Sequence, residues 1–307
     1  MQILYQNETT DFLPCVATVG FFDGLHIGHR FLIEELKSIA REQNLKSVVI
    51  TFSKHPRKVL NSDFQPELLT TLDEKLIQLE TTGIDACVVL DFSHALAQLS
   101  AFEFLKSILV DKYHVHTLLV GYDHRFGHNR AEGFSDYQKY GKAINMEVLL
   151  AKRYVTTEDE HISSSTVRMA LLSGNIEHAN RLLGYEYSFQ GKVTGGFMVG
   201  REIGFPTANL IPLDSEKLVP GIGVYAVRVS WNNQYHKGMM NIGTRPTLEN
   251  GNNISIEVHI IDFDENIYDE TLKIDFVRKI RDEKKFNSLD ELIEQLKKDK
   301  QQVIDMN

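Results

Sequence analysis

The chain has 307 residues with 33 Lys and Arg against 42 Asp and Glu, a net charge of −9, and two cysteines. That length predicts about two domains with sizeable cores, and the acidic balance argues against a general nucleic-acid binder, which needs a basic footprint. No apolar run approaches the roughly 20 residues of a membrane span, and the N-terminal MQILYQNETTDF lacks the charged-then-apolar order of a signal peptide, so a cytoplasmic protein with no membrane or nucleic-acid partner is expected.

Cys15 and Cys87 both lie beside apolar strand-like runs and read as buried free thiols rather than a disulfide or a metal site. The stretch Val16–Gln43 then organises the first half. Val16–Val19 is a short β-branched run, Gly20 and Gly24 permit unusual dihedrals, and Phe31, Leu32, Leu36 and Ile39 recur at helical spacing. His26, Gly28 and His29 therefore fall where a helix begins, among unpaired N–H groups at the positive end of its dipole, and describe a phosphate site. A zinc site lacks a third ligand nearby.

Ser47–Phe52 is a buried-strand pattern, followed by the turn-rich SKHPRKVLNSD with Lys54, His55 and Arg57. Thr71-Leu72-Asp73-Glu74 has capping-box form, Ala86–Phe92 is a strand, and Ser100-Ala101-Phe102-Glu103 repeats the box before a helix to about Tyr113. Thr117–Val120 is a strand ending in GYDHRFGHNRAEG; a helix around Ser135–Asn145 and a strand at Glu147–Leu150 continue the alternation. Strand and helix exchange repeatedly, which predicts a doubly wound parallel sheet. Ligands bind beyond the carboxyl ends of its strands, where the His26/His29 turn, the His55 loop and the Asp123–Phe126 loop all fall. Ile162–Arg168 (ISSSTVR) sets serine hydroxyls and Arg168 at another helix start, a second phosphate-type element, although Ser163 alone is as well read as an N-cap.

After Leu182–Tyr187 the pattern changes to strand after strand, which places a boundary near Gly184 and two domains at 1–184 and 185–307. Strands are expected at Tyr187–Val193, Val224–Trp231, Gln234–Ile242, Ile254–Asp262 and Leu272–Ile280, with Asn232-Asn233 as a two-residue hairpin turn. Ser288-Leu289-Asp290-Glu291 caps a closing helix. Few helices and many paired strands predict a small antiparallel β-barrel with a C-terminal helix. Gly195–Leu210 (GGFMVGREIGFPTANL) reads by its spacing equally as a glycine flap over a phosphate, with Thr207 and Asn209 as oxygen ligands suited to a magnesium–nucleotide complex, or as a glycine loop with Thr207 and Asn209 as turn residues.

The His26-Ile27-Gly28-His29 turn resembles the H-x-G-H turn of nucleotidylyltransferases. GFFDGLHIGH, TFSKHPRKVL, VGYDHRFG, ISSSTVR, GREIGFPTANL, PGIGVYAV, MNIGTRPT, IEVHIIDFD and KIRDEKKFNSLDELIEQLKKD, in this order, resemble the bacterial bifunctional riboflavin kinase/FMN adenylyltransferase (FAD synthetase) family over nearly the whole chain. The resemblance implies an N-terminal nucleotidylyltransferase-like domain that moves AMP from ATP to FMN. It implies a C-terminal domain that moves the γ-phosphoryl of ATP to riboflavin, with Mg²⁺ serving both. The small-molecule partners are then ATP, riboflavin and FMN, the product is FAD, and a weak homo-oligomer is left open.

Carried over residue by residue, the resemblance assigns nucleotide binding to Gly20, Asp23, His26, Gly28, His29, Ser164 and Arg168 in the first half. In the second half it assigns Gly200, Arg201, Gly204, Pro206, Thr207 and Asn209. Flavin binding falls to Asp123, Arg125, Phe126, Arg281 and Phe286, metal binding to Thr207 and Asn209, and catalysis to His29 and Glu257, the latter as base for the ribityl hydroxyl. Three positions depart from the family pattern: the apolar Phe197-Met198-Val199 in the flap, His124 where Phe is usual, and Asp269 after Tyr268 where Gly is expected. Two other readings are carried: one activity retained alone, or a flavin-binding sensor without turnover.

Overall fold

The computed structural model describes residues 1–6, 8, 14–55, 59, 67–122, 125–127, 132–155, 160–195, 199–245 and 253–306. It divides into two compact units, Met1–Ile162 and Ser163–Asn307. Arg57, Asp123, His124, Phe197 and Met198 lie outside the described residues, as does the side chain of Val199.

The first unit is a six-stranded parallel sheet in the order β1-β4-β3-β2-β5-β6, formed by Gln2–Tyr5, Cys15–Val19, Lys46–Phe52, Ala86–Leu90, Val115–Val120 and Glu147–Leu150 in chain order. Strands buried on both faces need apolar residues at every position, which is why β2 and β4 are continuous runs with no exposed residue. Their alternation sorts residues onto two cores. Val16, Val49, Cys87 and Val89 pack with Ile33, Leu36 and Ala40 of the helix Ile27–Glu42 and with Leu76 and Leu79 of the helix Leu72–Glu80. Ala17, Val19, Val48, Ile50 and Val88 face the other way, onto Leu105, Leu109 and Tyr137. Helices on both faces make the sheet doubly wound, as the alternation predicts. Both cysteines are buried free thiols, and burial pushes each up to about 12.

The Thr71 and Ser100 capping boxes both form. After Ser100, however, the turns from Phe104 to Val110 are π-helical rather than α-helical. β1 was absent from the sequence reading; it is a four-residue edge strand in which only Leu4 is buried.

In the second unit a closed antiparallel barrel runs β10-β11-β8-β7-β12-β9, with β7 Ser188–Thr194, β8 Ala208–Pro212, β9 Gly223–Trp231, β10 Gln234–Arg245, β11 Asn253–Ile260 and β12 Thr271–Arg281. Tyr187, Phe189, Tyr225 and Phe276 fill its core, each less than 2 % exposed. Asn232 and Asn233 take φ of 47° and 61° in the β9–β10 hairpin, the two left-handed residues a type I′ turn demands. The barrel closes through β8, which pairs with β7 and β11; the flap reading of 195–210 concealed this short strand. The helix Leu289–Ile304 covers one side, setting Ile293, Leu296 and Val303 against Ala226, Met239 and Ile261.

The helices Ser164–Leu172 and Ile176–Leu183 belong to this second compact unit. Asn180 donates to the Phe276 carbonyl at 2.9 Å and accepts from Tyr187 N–H at 2.8 Å. The edge between compact units thus precedes Gly184, the helix C-cap at φ 79°.

Candidate functional site

β2 and β5 are neighbours in the sheet, while the chain runs from β2 to β3 on one side and returns to β5 on the other. This is the topological switch point of the sheet, beyond whose strands' carboxyl ends such sheets bind their ligands. The turn after β2 is strained: Phe22, Gly24 and Leu25 have φ of 55°, 75° and 34°. Gly20 has no room for a side chain, because a Cβ there would stand 2.9 Å from the Phe22 ring.

His26 is the N-cap of the helix Ile27–Glu42, its Nδ1 accepting the His29 N–H at 3.3 Å. The two imidazoles stack at 3.6 Å and 15°, and Phe22 packs edge-on against His29 at 5.2 Å. Gly28 serves this cap as well, since a Cβ there would press to 3.2 Å from His26 Nδ1. Burial pushes His26 down to about 4, so at neutral pH its ring is uncharged. With Nδ1 accepting, the proton sits on Nε2 as a hydrogen-bond donor. The helix adds its N-terminal N–H groups and has no acidic residue in its first turn.

Asp23 is buried at 4 % exposure; its Oδ1 accepts from Leu69 N–H and Thr70 N–H, both at 3.0 Å, and from the Thr70 hydroxyl at 3.3 Å. The Thr70 hydroxyl in turn accepts from Gly24 N–H at 3.1 Å. Asp23 thereby ties the turn to the segment preceding the helix Leu72–Glu80. After β5, Phe126 stacks on Tyr137 at 4.0 Å and 11°, and its N–H donates to the Tyr137 hydroxyl at 3.0 Å. Arg125 is exposed beside it. Ser164 and Arg168 lie in the second compact unit; Ser163, not Ser164, is the N-cap, accepting from Thr166 N–H at 3.2 Å.

The second constellation is in the barrel. Glu257 on β11 stands in register with Asn209 on β8 and with Asn241 on β10, and the Thr207 hydroxyl donates to its Oε2 at 3.2 Å. His259, two residues on and therefore on the same face, contacts the Pro206 carbonyl through Nδ1 at 2.8 Å. Glu257 is thus turned toward the Pro206–Asn209 segment rather than outward to bulk solvent. Behind it the flap is a helical turn, Val199–Glu202. Phe205 N–H donates to the Gly200 carbonyl at 2.8 Å, and Gly204 takes φ of 80°. Arg201, Pro206, Thr207, Ala208, Phe263 and Tyr268 line a cleft of about 530 Å³.

Arg281 is held by the fully buried Asp299, with Nε and Nη2 both 2.9 Å from Oδ2. Gln295 donates to the other oxygen at 2.7 Å. Phe286 packs near the Arg281 guanidinium, 5.7 Å from its ring centroid, and near Lys284 at 4.9 Å. Lys75, Asn241 and Asp299 carry no motif that marks them in the sequence, whereas strand alternation puts His259 on the face of Glu257. For Lys75 a signal existed: with Leu72, Leu76 and Leu79 it occupies the buried stripe of its helix.

The sequence matches two family models, FAD synthetase over residues 8–166 and riboflavin kinase over residues 183–307. Among curated relatives, the bifunctional riboflavin kinase/FMN adenylyltransferase of Listeria monocytogenes is 38 % identical, covering 96 % of this chain and 93 % of its own. That of Bacillus subtilis is 37 % identical, covering 94 % and 91 %, and that of Escherichia coli K12 is 38 % identical, covering 93 % and 90 %. A crystal structure titled macrolide-efflux protein, from Streptococcus pneumoniae, superposes with a TM-score of 0.89 at 31 % identity over all of both chains. Among the described residues no helix is long and apolar enough to cross a membrane. Two family models in the order that the two folds appear, and relatives matched from end to end, place the chain in the bifunctional riboflavin kinase/FMN adenylyltransferase family.

Proposed function

We propose that this chain makes FAD from riboflavin in two steps, one per nucleotide site. The observation that carries the kinase step is the Thr207–Glu257 hydrogen bond with Asn209 and Asn241 in register beside it. It gathers a carboxylate and uncharged oxygen ligands side by side across β8, β11 and β10. Glu257 takes the proton of the riboflavin 5′-hydroxyl as that oxygen attacks the γ-phosphorus, and ADP leaves. Such transfer depends on positioning and charge neutralisation more than on covalent chemistry.

Hydroxyl, amide and carboxylate oxygens suit a hard cation, so Thr207 and Asn209, backed by Glu257, fit Mg²⁺. That ion would neutralise phosphate charge there. Arg201, Gly200, Gly204 and Pro206 frame the nucleotide cleft, while Arg281 and Phe286 border the flavin, with Asp299 fixing the guanidinium.

In the first unit a phosphate oxygen of FMN attacks the α-phosphorus of ATP and pyrophosphate leaves. His26 Nε2–H, His29 and the helix N-terminal N–H groups hold the phosphates, Gly20 and Gly28 keep that turn compact, and Asp23 braces it. Arg125 and Phe126 contribute to FMN binding; for Ser164 and Arg168, at the start of the second unit, a nucleotide-binding role rests on the ISSSTVR resemblance alone. The functional halves are 1–184 and 185–307, even though the helices before Gly184 pack with the barrel. The composition supports a cytoplasmic location with small-molecule partners, and a weak homo-oligomer stays open.

Incubation with riboflavin, ATP and Mg²⁺, with flavins separated by chromatography, tests the reading. Appearance of both FMN and FAD is expected. FMN alone, or FAD made only from added FMN, would leave a single-activity enzyme, and no conversion would leave a flavin-binding protein.

A further inference from the structure

Lys75 is 2 % exposed, on the helix Leu72–Glu80, and its hydrogen-bond acceptors are two main-chain carbonyls rather than a carboxylate. Its Nζ donates to the Phe21 carbonyl at 3.1 Å and to the Phe52 carbonyl at 3.0 Å. Nζ also lies 4.1 Å from the centroid of the Phe21 ring. Phe52 is the last residue of β3, and Phe21 follows β2, its partner in the sheet, by two residues. One ammonium therefore joins the two loops that leave adjacent strands at their carboxyl ends.

The same two loops meet through other contacts of Phe21. The Thr51 hydroxyl donates to its carbonyl at 3.1 Å, and His55 packs edge-on against its ring at 4.6 Å. Phe21 immediately precedes the left-handed Phe22 and the Asp23 brace. A buried charge is expensive to keep, so a lysine at this stripe position does more than fill space.

We propose that Lys75 is a positioning residue of the adenylylation reaction, its ammonium fixing the Gly20–His29 turn against the end of β3. This rests on the adenylylation reading of the first unit. The ammonium has three N–H donors and attracts the Phe21 ring, whereas the neutral amine has two weaker donors and no charge for the ring. Deprotonation thus loosens the joint without emptying the space. Burial is the main force lowering Lys75, to about 8, with the Asp23 carboxylate opposing it. The ionisable groups around it are Asp23 from the turn and the Cys87 thiol from β4, itself pushed up to about 12. His55 lies on the far side of the Phe21 contact, and Asp73 and Glu74 stand on Lys75's own helix.

The full chain supplies its own control, because riboflavin phosphorylation uses the other unit. FAD formation from FMN should decline above about pH 8, approaching roughly tenfold per pH unit, while FMN formation from riboflavin holds level over the same range. The unfolded chain binds the lysine proton more tightly than the folded one, so between about pH 8 and 10.5 this group adds to stability as pH rises. Circular dichroism should accordingly show the fold intact at pH 9, where adenylylation is already falling. Lys75→Arg, charged throughout, should move the alkaline decline of adenylylation upward by more than about one pH unit.

Adenylylation that stays level to pH 10, or both activities declining together, would overturn the proposal without recourse to any variant. So would a Lys75→Arg enzyme with the wild-type decline. No FAD from FMN at any pH would instead overturn the adenylylation reading, and the proposal with it.

Discussion

The two proposed nucleotide sites are built in opposite ways. In the first unit the groups proposed to act are buried and anchored to the backbone: His26, Asp23 and Lys75 are each 6 % exposed or less, and all bond to main-chain atoms. In the barrel the groups proposed to act are less buried, with Thr207 exposed just before β8 and Glu257 half-buried within β11. A site held by burial is preorganised but couples chemistry to folding, since each group removed leaves buried donors or acceptors unmet. A site on less buried side chains can lose one and keep its fold.

Glu257→Gln is the largest expected break in the barrel site. The amide keeps the shape but is a poor base, so kcat for FMN formation should fall by roughly 10²–10⁴. The thermal midpoint and FAD formation from FMN should barely change. Turnover near wild type at saturating ATP would remove Glu257 as the base.

His29→Ala should cost FAD formation about 2.7–4 kcal/mol of barrier and leave riboflavin phosphorylation nearly intact. Because His29 stacks on His26 and takes an edge-on contact from Phe22, this variant should also lower the stability of the first unit, unlike Glu257→Gln. Equal losses in both activities would contradict the separation of sites.

Acid should separate the units next. The unfolded chain protonates His26 near pH 6.5, the folded one only near pH 4. Between those values the unfolded state binds more protons, and His26 costs the first unit up to about 3 kcal/mol of stability as pH falls through the window. His259 in the barrel is lowered in the same direction, chiefly by burial, so the contrast is read by variant. His26→Gln should flatten the pH 4–6.5 dependence of urea unfolding, and an unchanged slope would sink the assignment.

The parts of the account that local rules dictate were legible in the sequence. Glycine and histidine placement gave the turn after β2, and the Thr71 and Ser288 caps announced their helices. What was hidden depends on tertiary partners. β1 is too short and too exposed to show a pattern, and β8 follows glycines that read as loop. Asp299, within EQLKKDK, looks like one more solvated charge until Arg281 from β12 closes on it. Lys75 had the spacing of a core residue but the chemistry of a surface one.

The smallest effect concerns Asp269, which adopts φ of 64°, a conformation that favours glycine, and pairs with Lys192 at 3.0 Å. Asp269→Gly relieves left-handed strain but frees the unfolded chain and removes an exposed ion pair. The net change in the barrel's stability should stay within about 1 kcal/mol, measured by thermal unfolding, with both activities kept. A larger loss would mean that the Lys192 pair organises the loop.

The most direct test of two independent sites in one chain is to mix the two variants. Glu257→Gln alone should convert FMN to FAD but leave riboflavin untouched, and His29→Ala alone should turn riboflavin into FMN and stop. An equimolar mixture given riboflavin, ATP and Mg²⁺ should make FAD, with FMN passing through solution from one protein to the other. A mixture that accumulates FMN without FAD, while the Glu257→Gln protein still converts added FMN, would contradict free exchange between separate sites. A Glu257→Gln protein unable to use FMN at all would contradict the separation itself.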